Sequence, residues 1–170
     1  ISFAITALVI VKCMASAVTF TYYLKASQKR HSYVSAAFGV FYAFCAYFLA
    51  YYWNIMWIDG MILLPLIVLG IEQLVNNGKG ALYTGALAVL LLSNYYMGYM
   101  ACIFSVLYFL AYFLMTAKPR PEKSGEKLTT REKYSAKNLM RHPFLNRCVR
   151  FAGFSLLAGG LCAVTLLPTY

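Results

Sequence analysis

Carboxylates are scarce in this sequence: five Asp and Glu stand among 170 residues, against fifteen Lys and Arg. Charged residues of both signs make up only 12% of the chain, about half the usual share in a soluble domain. The material for a solvated globular surface is therefore missing. Also absent are HExxH, a phosphate-cradling glycine loop, a nucleophile elbow and any metal-ligand cluster, so no motif argues for a metalloprotease, a P-loop enzyme or a serine hydrolase. The five cysteines, Cys13, Cys45, Cys102, Cys148 and Cys162, have no CxxC spacing and an odd count. Four of them lie in apolar runs and read as small hydrophobes, not as a metal site or a disulfide framework.

What is abundant is apolar. The chain is 62% hydrophobic and 17% aromatic, in long runs rather than at amphipathic spacing, which places it in the membrane class. It opens at Ile1 without a charged leader or a cleavage site and stops at Pro168-Thr169-Tyr170. An internal piece of a longer protein is expected, not a signal peptide followed by a domain.

The expected fold is all-α, a polytopic transmembrane helical bundle with about six membrane segments. The first run covers about 1–24 and is interrupted only by Lys12; Lys25, Lys29, Arg30 and His31 then form a basic turn. A second covers 33–53, a polar and aromatic joint 54–60, and a third 61–75, closed by Asn76-Asn77-Gly78-Lys79-Gly80. From Ala81 to Met115 there are 35 residues without a charge; as one helix these would be ~52 Å long, too long for one vertical crossing of a ~30 Å hydrocarbon layer. The break is expected at Ser93-Asn94-Tyr95-Tyr96-Met97-Gly98-Tyr99, giving segments 81–94 and 99–116, the first short enough to be a half-helix ending inside the bundle. Residues 118–150 form a basic loop with ten Lys and Arg. Residues 151–170 hold a last segment, apolar to Leu167.

Two passes between 81 and 116 put fourteen of the fifteen Lys and Arg on one face, leaving Lys12 within a span. By the positive-inside rule the loops 25–31, 76–80 and 118–150 are then cytoplasmic, and the corners at 54–60 and 94–99 face outward. The same rule accounts for the formal charge of +10, and no nucleic-acid partner is expected.

Few residues are candidates for chemistry. Asp59 is the lone carboxylate of the outward side, near Asn54 and Trp57; it reads either as a ligand for a sugar hydroxyl, metal or proton, or as a helix N-cap before Gly60 and an apolar run. Glu72 reads as a side chain reaching the inner interface and pairing with a basic neighbour, or as a functional carboxylate. Lys12 needs a partner, because an unpaired ammonium within a span costs at least ~2.5 kcal/mol. A lipid phosphate or a carboxylate elsewhere in the full protein would serve; otherwise Lys12 lies closer to an interface than its run suggests. Tyr51, Tyr52, Trp53, Trp57, Tyr95, Tyr96 and Tyr99 fit an aromatic belt, and aromatic faces also stack on sugar rings.

The stretch from Tyr52 to Leu114 resembles the bacterial YfhO family of large polytopic membrane proteins. The resemblance is carried by Trp57 and Asp59 before an apolar segment, by PLIVLGIE from Pro65 to Glu72, by the short turn holding Lys79, and by SNYYMGYM from Ser93 to Met100. Lys12, Ser16 and Tyr22-Tyr23 upstream, and LLPTY at the end, are similar to the family as well. The resemblance implies a GT-C-type glycosyltransferase that moves a sugar from a polyprenyl-phosphate carrier to an extracytoplasmic cell-wall polymer such as teichoic acid. It places the catalytic aspartate in an outer loop preceding Ile1. Within this chain it implies that Asp59, Asn54, Trp57, Asn94, Tyr95 and Tyr96 line the donor or acceptor pocket, with Lys12 and Glu72 as further substrate-binding candidates. A divalent cation bridging phosphate oxygens suits such chemistry, though one carboxylate does not make its site. The expected partners are membrane lipids, the polyprenyl-phosphate donor and the wall polymer. Two other readings stay open: a lipid or solute transporter, suggested by Lys12 and the broken segment at Asn94, and a non-catalytic scaffold whose basic loop binds anionic headgroups.

Overall fold

The computed structural model describes residues 2–28, 32–116 and 147–163. All of its regular structure is helical: α1 (Ser2–Gln28), α2 (Ser32–Ala43), α3 (Ala46–Tyr51), α4 (Ile55–Asn77), α5 (Ala81–Ser93), α6 (Tyr95–Thr116) and α7 (147–163). Four stretches are long and apolar enough to cross a membrane, Phe3–Gln28, Tyr33–Tyr51, Ile55–Asn77 and Tyr95–Met115, with Ala81–Ser93 a shorter apolar helix. The fold is an all-α bundle, as expected from the unbroken apolar runs.

α4 is the hub. It packs against α1, α3, α5 and α6, and its Ile58, Ile67 and Ile71 are wholly buried. α1 presents most of its side chains outward, which is where an apolar helix meets lipid tails. Two glycines permit the closest approaches. A Cβ at Gly70 would come within 2.6 Å of the Tyr83 Cα, so α4 and α5 touch backbone to backbone there, as small residues allow in membrane bundles. On α2, Gly39 does the same against Thr21 and Ala17 of α1.

Several boundaries differ from the sequence expectation. The first helix continues past residue 24 to Gln28, with Lys25 in its last turn. The run 33–53 is broken between Ala43 and Ala46, where Phe44 N–H still bonds back to Val40 but the Cys45 N–H reaches only Tyr42, at 3.2 Å. The third helix begins at Ile55, not 61, so Asp59 and Gly60 belong to it and the joint contracts to Tyr52–Asn54. Gly60 lies inside α4 on the side facing α6, where a Cβ would sit 2.9 Å from the Met97 Cε. Pro65 is carried inside α4. The break near Asn94 occurs as a single residue, with α6 starting at Tyr95 rather than 99. α7 begins at 147 instead of 151. The basic turn at 29–31, most of the 118–150 loop and residues 164–170 lie outside the described residues.

The contacts also fix helix directions. Lys12 meets Asp59 and Tyr23 meets Glu72, so α1 and α4 run the same way. Gly60 faces Met97 and Glu72 bonds Tyr108, so α6 runs with them. α5 lies between α4 and α6 in the chain and returns in the opposite direction. The charge-free stretch therefore turns back on itself at Asn94, and one end of the bundle gathers residues 54–60 and 94–97.

Candidate functional site

That end carries the one ion pair found among the described residues. Lys12 Nζ lies 2.6 Å from Asp59 Oδ1, both side chains being about four-fifths buried (18% and 24% exposed), and it also donates to the Ile55 carbonyl at 3.0 Å. The N-cap reading of Asp59 is overturned: Asn54 is the residue at the helix start, and it makes no capping bond through its side chain. Asp59 instead faces α1, one turn into α4, because four residues after Ile55 return the chain to the same helix face. The partner required by Lys12 is thus in this chain, and Lys12 lies at the level of the first turn of α4.

An aromatic cluster joins α3 to the start of α4. Trp57 packs against Tyr51 with ring centroids 5.4 Å apart, and Tyr51 contacts Tyr47 and Trp53 at 5.2 and 6.4 Å. Asn94 is the cap of α6: its Oδ1 accepts the N–H of Tyr96 at 3.1 Å and of Met97 at 3.4 Å. These bonds satisfy donors that the start of a helix leaves free. Tyr95 and Tyr96 are exposed beside it. Of the sequence candidates, Lys12 and Asp59 are in contact; Asn54 and Trp57 lie at the same end of α4 without a contact to that pair, and Asn94, Tyr95 and Tyr96 are at that end of the bundle through the Gly60–Met97 contact.

Glu72 stands apart, deep on α4. It is 7% exposed, and its Oε1 accepts hydrogen bonds from Tyr108 at 2.8 Å and Tyr23 at 3.1 Å. The expected basic partner is replaced by two tyrosine hydroxyls. This carboxylate therefore ties α1, α4 and α6 together.

Sequence reasoning missed one more feature. Next to Asp59 in the chain, Gly60 lines an apolar cavity of about 370 Å³, together with Tyr47, Met61, Leu64, Met97 and Phe104. The hydroxyl of Tyr47 is buried and has no hydrogen-bond partner among the described residues, a state that ordinarily costs about 1–3 kcal/mol. No spacing rule marks such a cavity, since it arises where the α2–α3 break opens space against α4 and α6. No group of three or more metal-ligating side chains occurs among the described residues.

The profile of the family described as "Bacterial membrane protein YfhO" matches residues 1–170. Over 72 residues the chain is 35% identical to the uncharacterized protein YfhO of Bacillus subtilis (strain 168), a match covering 42% of this chain and 8% of that relative's length. No solved structure matches the chain. The chain belongs to the YfhO family of bacterial membrane proteins.

Proposed function

We propose that this chain is part of a GT-C-type membrane glycosyltransferase that takes a sugar from a polyprenyl-phosphate donor and passes it to an extracytoplasmic cell-wall polymer such as teichoic acid. The observation that supports the reading is a partly buried charge pair, Lys12–Asp59, in the same turn of α4 as Gly60, which lines an apolar cavity toward α6. A polyprenyl-phosphate sugar has the same two-part character: an anionic, hydroxyl-rich head on a hydrocarbon chain. In this assignment the cavity takes the first part of the chain, Lys12 faces the phosphate, and Asp59 orients a sugar or acceptor hydroxyl. Trp57, Tyr95 and Tyr96 offer ring faces to the pyranose, and Asn54 and Asn94 complete the polar rim. Glu72 lies several turns away and holds the helices; we assign it no contact with the substrate.

In the reaction an acceptor oxygen bonds the anomeric carbon, the carbon–oxygen bond to the phosphate breaks, and polyprenyl phosphate leaves with the electron pair. In this reading the acceptor proton passes to a carboxylate base supplied from outside this chain. Lys12 stabilises the charge growing on the departing phosphate, an effect that is strong where water is excluded. The orientation that fits places Lys25, Lys79, Arg147 and Arg150 on the cytoplasmic side and the Asp59 corner outside, in accord with the positive-inside rule.

The test is Asp59→Asn in the full-length protein, with the glycosylation of wall polymer measured in cells that express it normally. We expect glycosylation to fall about tenfold or more, the scale of losing a charge-assisted hydrogen bond at a transition state. Unchanged glycosylation removes Asp59 from the site.

A further inference from the structure

At the opposite end of α4 the chain builds a second polar cleft. α4 closes on Gly78, whose φ of 71° is left-handed and whose N–H bonds the Leu74 carbonyl at 3.0 Å. Glycine accepts that conformation without strain. Beside this turn comes the start of α7, and the cavity between them, about 240 Å³, is lined by Asn76, Asn77, Gly78, Arg147 and Arg150 with Leu74 and Val75 as its floor. That is room for several waters, each occupying ~30 Å³ in the liquid, or for one headgroup.

The two arginines define what the cleft suits. Among the described residues neither guanidinium has an ion-pair or hydrogen-bond partner. Arg147 stands over the Phe113 ring at 5.9 Å, which steers its stem while leaving its donors free. Arg150 lies so close to Gly78 that a Cβ there would collide with its Nη1. The Arg150 guanidinium thus rests against the turn at Gly78. Two like charges converging on one small cleft repel each other unless an anion stands between them, and planar guanidinium groups match phosphate oxygens two at a time. Asn76 is fixed by its hydrogen bond to the Tyr112 hydroxyl, at 2.9 Å, and presents a rigid amide edge to the same space.

Depth supplies the source of the anion. α4 has 23 residues, about 35 Å at 1.5 Å per residue, so its two ends reach the two edges of a ~30 Å hydrocarbon layer. The floor of the cleft is apolar and its rim is cationic, the arrangement of basic pockets between membrane helices that hold anionic headgroups. We propose that this cleft binds a phosphate ester, and that the headgroup phosphate of an anionic phospholipid is the one it takes, held by Arg147 and Arg150 and seated on Gly78. This goes beyond the sugar-transfer reading, and it does not depend on it.

The test uses the full-length protein in neutral detergent, titrated with phosphatidylglycerol and, separately, with diacylglycerol, which has the same tails and no phosphate. Bound lipid is counted by native mass spectrometry, with elution volume and helical circular dichroism confirming the fold of each variant. Phosphatidylglycerol is expected to bind and diacylglycerol not. Replacing both arginines by glutamine weakens phosphatidylglycerol binding about tenfold or more. Replacing both by lysine gives a smaller loss, because charge remains while the paired geometry goes. Lys79→Gln, which removes a charge outside the cleft, leaves the affinity near that of the unaltered protein. The proposal is overturned if the double glutamine variant binds as before, if Lys79→Gln is equally damaging, or if diacylglycerol binds as tightly. Displacement of the lipid by inorganic phosphate at similar concentration would overturn the lipid assignment in favour of a free anion. Because the readout is lipid binding, its failure is distinct from any failure of sugar transfer.

Discussion

Lys12 illustrates how one charge organises its surroundings in an apolar setting. Its ammonium meets Asp59 at 2.6 Å and the Ile55 carbonyl at 3.0 Å, so removing it leaves a carboxylate about three-quarters buried without a counter-charge. Lys12→Met is expected to lower unfolding stability by about 1–3 kcal/mol, less than for a fully buried pair. Adding Asp59→Asn should recover part of that loss, a coupling that a double-mutant cycle on thermal stability in detergent reads directly. Equal and additive losses would show that the two side chains do not interact. Glu72 makes a similar case: Tyr108→Phe deletes one of its two donors and should cost about 1–2 kcal/mol while leaving sugar transfer unchanged per folded molecule. Part of this was legible in the sequence. A lone lysine in an apolar run demands a partner, and Asp59 was already visible as an isolated carboxylate; that they meet depends on the parallel register of α1 and α4, which neither run encodes locally. The partners of Glu72 were illegible, because Tyr23 and Tyr108 read as apolar bulk until folding turns their hydroxyls inward.

The elements show where sequence signals are strong and where packing decides. Asn94 was readable as a break because 35 uncharged residues exceed one crossing and because polar groups, clustered tyrosines and a glycine interrupt the aliphatic run there. Asn94→Ala removes the cap bonds to Tyr96 and Met97 and should destabilise the bundle by about 1 kcal/mol, measured by thermal unfolding, with Asn94→Asp largely retaining the cap. The break between α2 and α3 was not readable, since Ala43 to Ala46 contains neither glycine nor proline. The early start of α4 was hidden for the opposite reason. Gly60 looked like part of a turn, yet it is a helical residue whose open face meets the tip of Met97. Gly70 sits in the tightest contact of α4 with α5, so Gly70→Val should force the helices apart and cost about 1–3 kcal/mol, seen as a lowered melting temperature or loss of folded protein on purification.

At the scale of the molecule, helix direction and charge agree. α1, α4 and α6 run together while α5 returns, so the aromatic corner holding Asp59, Trp57 and Tyr95 gathers at one end. Lys25 ends α1, Lys79 follows α4, and Arg147 and Arg150 begin α7; all four are at the other end. The charge distribution made this polarity legible before any contact was known, whereas the cavity beside Gly60 and the arginine cleft at Gly78 depend on helices distant in sequence. Both proposed sites, the sugar-transfer corner and the phosphate cleft, require that these two ends emerge on opposite sides of the bilayer. Single cysteines placed at the exposed positions Tyr95 and Lys79 of the full-length protein, in a background with all native cysteines replaced, test this with a membrane-impermeant maleimide on intact cells. Residue 95 should label from outside, and residue 79 only after the membrane is permeabilised. Labelling of both from the same side would contradict the arrangement and remove the basis for the proposed sugar-transfer site.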